Sequence, residues 1–185
     1  MDAFFAKSAG TWLSQRAVHH FDAAEDESGE SNLIVSLLPH EDASVARVCE
    51  QLGLPLAAAT CGARFNWQDT FRQGPPDEKY SAVLVDLPDT DNPLRGRLMR
   101  DVGYVEARPV ISRYQFSCDG VLSIHTDYDR NTGVERCWFI NDDVRVRVGS
   151  VRLMDGPSLM SYCTEIRCSP DADFAALRQA SLARC

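Results

Sequence analysis

Residues Val144-Arg145-Val146-Arg147-Val148 alternate with period two, the mark of a strand that sends its valines to one face and both arginines to the other. Two strand residues advance the chain by roughly 7 Å, so the two guanidiniums would stand parallel at about that separation. Each is a planar fork of N–H donors that matches a carboxylate bidentately. The pair therefore suits a ligand with two carboxylates. The competing reading is a half-buried strand with its valines in the core and its arginines in water, since arginine is rarely buried. A second run, Ser14-Gln15-Arg16-Ala17-Val18-His19-His20, adds a further guanidinium. On a strand, Arg16 shares a face with Trp12, Ser14 and Val18, and His19 lies on the other face. His20 rejoins the face of Arg16. No third ligand stands at metal-binding spacing from the two histidines, so no metal site is assigned.

These residues need a sheet to hold them. A short helix is expected over Asp2–Ser8, then a strand at 11–20 paired with another at 33–38. The acidic stretch between them, 22–31, reads as a solvated hairpin loop. The clearest helix is 41–52: Asp42 or Ser44 can cap it, Val45, Val48, Cys49 and Leu52 form its apolar stripe, and Gly53 stops it. Strand-like pieces follow at 63–67, 80–87, 96–104, 110–118, 121–128, 134–140, 144–153 and 159–167. Turn chemistry separates them, including Asp119-Gly120, a two-residue hairpin signal, and Asn131-Thr132-Gly133. Short strands at meander spacing imply an all-β fold, an antiparallel barrel of eight to ten strands that closes to hide its edges and can hold one small ligand. Ser169-Pro170-Asp171 caps and opens a C-terminal helix expected over 171–183, with Phe174 and Leu177 facing the body.

A chain of 185 residues, 44% hydrophobic, can bury one core and is short for two. A net charge of -8 lacks the basic footprint of a nucleic-acid binder. No apolar run approaches the ~18 residues of a membrane span. The opening Met1-Asp2-Ala3-Phe4-Phe5-Ala6-Lys7 has an early acid and no sustained apolar stretch, so a secretory signal is not expected. Seven scattered cysteines, with no C-x-x-C pair, describe neither a zinc site nor a disulfide framework. Reduced thiols in a cytosol-like compartment are the expectation, most of them in the core.

Gly10-x-Trp12 ahead of the first strand resembles the opening motif of lipocalins, in which the tryptophan plugs one end of the barrel. Six ordered motifs make the resemblance more specific. They are Ser14-Gln15-Arg16-x-x-His19-His20; Cys61-Gly62-Ala63-Arg64-x-x-Trp67; Pro88-Asp89-x-Asp91-Asn92-Pro93-x-x-Gly96-Arg97-Leu98-x-Arg100-x-x-Gly103-Tyr104; Glu135-Arg136-x-Trp138-Phe139; Arg145-x-Arg147; and Ser161-x-Cys163-x-Glu165-Ile166-Arg167. Together they resemble the S-type phycobiliprotein lyases (the CpcS/CpeS family), in register from Phe4 to Arg167. The domain is expected over 1–168, with 169–185 as a helical tail outside it.

The resemblance implies a lipocalin-like barrel that binds a phycobilin, such as phycocyanobilin or phycoerythrobilin, as substrate and with no permanent cofactor. It implies transfer of that bilin to a cysteine of a phycobiliprotein α or β subunit, forming a thioether at the A-ring ethylidene. The nucleophile is then the acceptor's thiol. The family's functional positions fall on Arg16, His19, His20, Trp67, Arg145 and Arg147, and its pocket acids on Glu135 and Glu165. A homodimer, or a heterodimer with a related subunit, is compatible with it, and the compartment implied is the cyanobacterial cytosol or an algal plastid. The residues fit such a ligand. Arg145 and Arg147, with Arg16 as a further candidate, suit its two propionates, and Trp67 and Trp138 offer stacking faces. Glu135 or Glu165 could accept hydrogen bonds from pyrrole N–H groups and act on bilin protonation. The alternatives are ordinary core packing for each tryptophan, and salt bridges to Arg136 or Arg167 for the acids. Rival functions are a non-catalytic bilin carrier or lyase subunit, and a binder of another apolar anion. In one departure, many relatives carry a second tryptophan shortly after the position of Trp67, where this chain reads Phe71-Arg72-Gln73.

Overall fold

The computed structural model describes residues 1–21, 26–69, 78–103, 105–153, 159–169, 171–173, 175–176 and 179–180. Helix α1 (Asp2–Ser8) leads into β1 (Gly10–His20) and β2 (Glu27–Leu38), and helix α2 (Ala43–Gln51) precedes β3 (Gly62–Asp69). The chain continues through β4 (Ser81–Pro88), β5 (Arg95–Arg100), β6 (Val110–Phe116), β7 (Leu122–Asp127), β8 (Asn131–Phe139), β9 (Val144–Leu153) and β10 (Leu159–Cys168). Each strand pairs antiparallel with the next, and β10 returns to β1 to close a ten-strand barrel. Closure leaves no unpaired sheet edge. No helix among the described residues is long and apolar enough to cross a membrane.

Two cores follow from two kinds of strand. Most strands bury one face only, and their inward side chains Trp12, Leu33, Phe65, Leu98 and Leu122 fill the lower lumen together with Phe5 of α1. The middle of β4 is buried on both faces. Its outward residues Val83, Val85 and Leu87 pack with Val45, Val48 and Cys49 of α2 in a second core outside the barrel. That explains the unbroken apolar run Ala82-Val83-Leu84-Val85, since a strand covered on both sides loses its alternation. Helix α2 starts where Asp42 accepts a hydrogen bond from the Ser44 N–H at 2.7 Å.

The closed end of the barrel is built on Trp12. Its ring is fully buried and its indole N–H donates to the Ser8 carbonyl at 2.8 Å, tying α1 to β1. The guanidinium of Arg167 lies 4.2 Å from the ring centroid and that of Arg145 5.0 Å. Gly10 has φ of 123°, and a Cβ there would meet Arg167 Nη1 at 2.9 Å, so no other residue opens this strand without strain. Truncating a buried tryptophan of this kind costs about 3–5 kcal/mol.

Several expected boundaries move. β2 begins at Glu27 and pairs with β1 from there, so much of the acidic stretch is strand rather than loop. The Asn131-Thr132-Gly133 turn is the start of β8, paired with β9 and β7. β5 ends at Arg100, because the Asp101 side chain takes the Val83 N–H at 2.8 Å and turns the chain away. Asp119-Gly120 is not a two-residue hairpin. Ser117 and Val121 pair around a three-residue loop, with Gly120 at φ 82° in its left-handed position. Within the expected C-terminal helix, residues 175–176 and 179–180 are helical and 171–173 are not, while Phe174, Leu177 and the other residues of that span lie outside the described residues, as does Phe71-Arg72-Gln73.

Candidate functional site

Parity along β8, β9, β10 and β1 sets out the upper lumen in three levels. Phe139, Arg145, Glu165 and Ser14 lie side by side, then Cys137, Arg147, Cys163 and Arg16, then Glu135, Gly149, Ser161 and Val18. The arginines of β9 thus face inward, and Val144, Val146 and Val148 lie half-exposed on the outer face. This is the reverse of the pattern that valine in the core and arginine in water would give.

Inward charge is tolerated here because it is paired. The Arg145 Nε–H donates to Glu165 Oε2 at 2.6 Å, with the two side chains 2% and 0% exposed. Arg147 stands 3.6 Å from Oε1 of both Glu165 and Glu135. The Arg100 Nη2–H donates to Glu135 Oε2 at 3.2 Å. The result is a chain of alternating sign, Arg100–Glu135–Arg147–Glu165–Arg145. Three guanidiniums face two carboxyls, so one positive charge stays unmatched even with both acids ionised. Burial pushes the Glu135 carboxyl up, but the guanidiniums of Arg100 and Arg147 outweigh it and hold the group below the usual carboxylate range. Burial also works against the charge on Arg147, and the carboxylates of Glu165 and Glu135 more than restore it.

Arg147 is the looser member of this chain. Its ion pairs are long, and its remaining hydrogen bond is a weak one from Nη2 to Cys163 Sγ at 3.5 Å. It walls both a narrow apolar pocket of about 60 Å³ and a cavity of about 480 Å³. The larger cavity is bounded by Arg16, Trp67, Tyr80, Arg147 and Cys163. Its volume lies within the usual range for small-molecule sites. Burial pushes the Cys163 thiol up, only partly offset by Arg147, and the Cys137 thiol is pushed up to about 12. Both therefore stay protonated and poorly nucleophilic at neutral pH.

Arg16, Trp67 and Arg147 bound the larger cavity, Trp67, Arg147 and Glu135 line the narrow pocket, and Glu165 lies against Arg147; other expected residues stand apart from the larger cavity. Arg145 is 2% exposed, bonded through Nε to Glu165 and set against Trp12; it lines the narrow pocket with Arg147 but not the larger cavity. Trp138 pairs with Val146 on the outer face, since Glu135 and Cys137 hold the inner face of β8, and it cannot stack on a ligand in the lumen. His19 also points outward, 2.6 Å from Asp26 and edge-on to Phe21. His20 keeps the parity of Arg16, but its ring pairs with Glu27 at 3.1 Å, and neither histidine lines the cavity. Glu165 pairs with Arg145 rather than Arg167, whose guanidinium donates instead to the Ala9 and Lys7 carbonyls, each at 2.7 Å.

Arg100 was not among the expected site residues, although the same parity could have found it. Gly96, Leu98 and Arg100 alternate inward, while Arg95 and Arg97 are exposed.

The family model described as CpeS-like protein matches residues 1–168, a span that holds all ten strands. A protein of Trichodesmium erythraeum named chromophore lyase CpcS/CpeS 4 is 51% identical over 181 residues, covering 98% of this chain and 94% of the relative. A chromophore lyase CpcS/CpeS of Synechococcus sp. (strain WH8020) is 44% identical, covering 94% of this chain and 86% of the relative. The solved S-type phycobiliprotein lyase CPES of Guillardia theta superposes with a TM-score of 0.74 at 25% identity, over 91% of this chain and 92% of that one. With the family model matching residues 1–168 and relatives at 51% and 44% identity over nearly the whole chain, the chain belongs to the CpeS-like family.

Proposed function

We propose that this protein is a phycobilin lyase, which binds a linear tetrapyrrole and attaches it to a cysteine of a phycobiliprotein subunit. The observation that carries the reading is the cavity of about 480 Å³ with Arg16 and Arg147 flanking Cys163 and Trp67 in its wall. Arg16 and Arg147 stand two strands apart, roughly 10 Å between backbones. A phycobilin has two propionates for those forks, a conjugated system for the Trp67 face and pyrrole N–H groups for a carboxylate.

Glu135 suits the last role better than Glu165. Glu135 keeps 17% of its side chain exposed, whereas Glu165 is sealed at 0%. An ionised carboxylate beside the pyrroles favours the protonated, cationic bilin, the better electrophile. The acceptor's S–H then adds across the A-ring ethylidene. Sulfur bonds to the exocyclic carbon, the proton ends on the neighbouring ring carbon, and no oxidant is needed. The barrel contributes orientation, and its own wall thiols stay protonated and do not compete. The setting is the cytosol of a cyanobacterium, or an algal plastid.

The test is to mix the protein with a phycobilin and an unmodified acceptor subunit, then denature. Colour retained on the subunit supports the reading, and its absence across several bilins and subunits sinks it. A relative from Picosynechococcus, 34% identical, is named a phycocyanobilin lyase subunit, which favours a second reading as one half of a two-subunit enzyme. Colour that appears only when a related chain is added would select that reading.

A further inference from the structure

Glu135 is gripped from two sides of the lumen. Arg147 reaches it from β9, the neighbouring strand. Arg100 reaches it from β5, three strands away around the barrel. A bond between strands so far apart is no part of the sheet; it is a strut across the lumen. The two side chains are only 11% and 17% exposed, and among the described residues Glu135 is the ion-pair partner found for Arg100. The strut also settles which oxygen goes where. Oε2 of Glu135 is held by Arg100, and Oε1 stands 3.6 Å from Arg147, with the side chain lining the narrow pocket.

We infer that Arg100 is a positioning residue for bilin attachment, fixing Oε2 of Glu135 so that the carboxylate stays ionised with Oε1 turned to the ligand. The inference rests on the bilin reading above and deepens it. Arg100 touches no substrate; it acts through Glu135. Its effect is electrostatic as well as geometric. Among the described residues, the charged or titratable groups around Glu135 are Arg100 from β5, Arg147 from β9, Cys137 on its own strand and Tyr128 after β7, with Glu165 and Cys163 of β10 behind Arg147. β7 presents Ile124 and Thr126 there, and β6 presents Ser112, none of which titrates near neutrality. Without Arg100, only Arg147 at 3.6 Å opposes the burial that pushes the carboxyl up. The carboxyl would then take up a proton at higher pH and lose the charge that favours the bilin cation.

The experiment follows transfer rate, and in parallel the absorbance of bound phycobilin, against pH. In Arg100→Met the acid limb of both profiles moves up by about 1–2 pH units, the size of shift one close opposite charge produces. Arg100→Lys restores most of the wild-type profile, and Arg100→Gln behaves like Arg100→Met if the latter folds poorly. In a Glu135→Gln background the limb is gone, and Arg100→Met moves nothing further. Wild-type profiles in Arg100→Met and Arg100→Gln, even with lower melting temperatures, would mean a structural strut only and overturn the inference while the bilin reading stands. A wild-type profile in Glu135→Gln overturns the inference together with the role of Glu135. Absence of any transfer by the wild type removes both.

Discussion

Arg145 and Arg147 lie two residues apart on one strand face, yet their replacement should have opposite consequences. Arg147→Met removes the loosely held guanidinium at the cavity wall. Its ion pairs are 3.6 Å long, and Glu165 and Glu135 keep their shorter bonds to Arg145 and Arg100. Stability should change little. Loss of a charge-assisted hydrogen bond to a propionate should cost about 1.5–3 kcal/mol of binding, roughly a 10- to 150-fold rise in Kd. Arg145→Met instead strands Glu165, whose side chain is 0% exposed and whose remaining cation stands 3.6 Å away. Breaking a buried pair from one side costs about 3–5 kcal/mol, or roughly 6–20 °C of Tm in a protein of this size. Absorbance titration with free bilin and thermal melts measure the two effects separately. The reasoning fails if Arg145→Met weakens binding while leaving Tm alone, or if the bilin dimethyl ester binds the wild type as tightly as the free acid does.

Two further outcomes follow from the same electrostatics. The Glu135 carboxyl is held below the usual carboxylate range in the folded protein, so its ion pairs stabilise fully above its unfolded value and that contribution is lost as pH falls through the lower folded value. Urea unfolding from pH 7 down to pH 3 should therefore show the gap between wild type and Glu135→Gln closing at the acid end; a gap that widens there contradicts the sign. Cys163→Ser should bind and transfer bilin normally, because burial keeps that thiol protonated and the opposing guanidiniums of Arg147 and Arg16 do not outweigh it. A variant that binds but cannot transfer would make Cys163 a covalent carrier.

Parity was legible in the sequence; the direction of parity was not. The alternation of 144–148 correctly puts both arginines on one face and the valines on the other, and the antiparallel barrel follows from strand spacing and turn residues. Which face looks inward depends on partners that lie on other strands: Glu165 on β10, Glu135 on β8 and Arg100 on β5. No local pattern encodes those long-range pairs. The same arithmetic, applied strictly, would have rejected Trp138, which stands three residues from Glu135 and so on the opposite face of a regular strand. His19 fails for the same reason against Arg16. Arg145 has the right parity but lies deeper than Arg147, against the Trp12 plug and outside the wall of the larger cavity. Depth is a property of the closed barrel, which strand periodicity alone does not report.

A buried Arg145–Glu165 pair is a costly way to fill a barrel floor, and that cost makes a last prediction. Desolvating both charges offsets much of their attraction, so well-packed apolar replacements of buried pairs are often neutral or stabilising by about 1–4 kcal/mol. Arg145→Met combined with Glu165→Leu leaves no orphaned charge, and the Met side chain can still rest against Trp12, where the guanidinium now lies 5.0 Å from the ring centroid. The double variant should therefore melt above either single variant and near or above the wild type. Its bilin affinity should nevertheless fall below that of the wild type. Arg147 would have lost Oε1 of Glu165, one of its two carboxylate neighbours, and with it part of what holds its fork toward the cavity. A double variant that melts lower than both singles would mean the pair is a net source of stability. One that binds bilin as tightly as the wild type would mean the pair has no part in aiming Arg147, and that the charged floor serves the fold rather than the ligand.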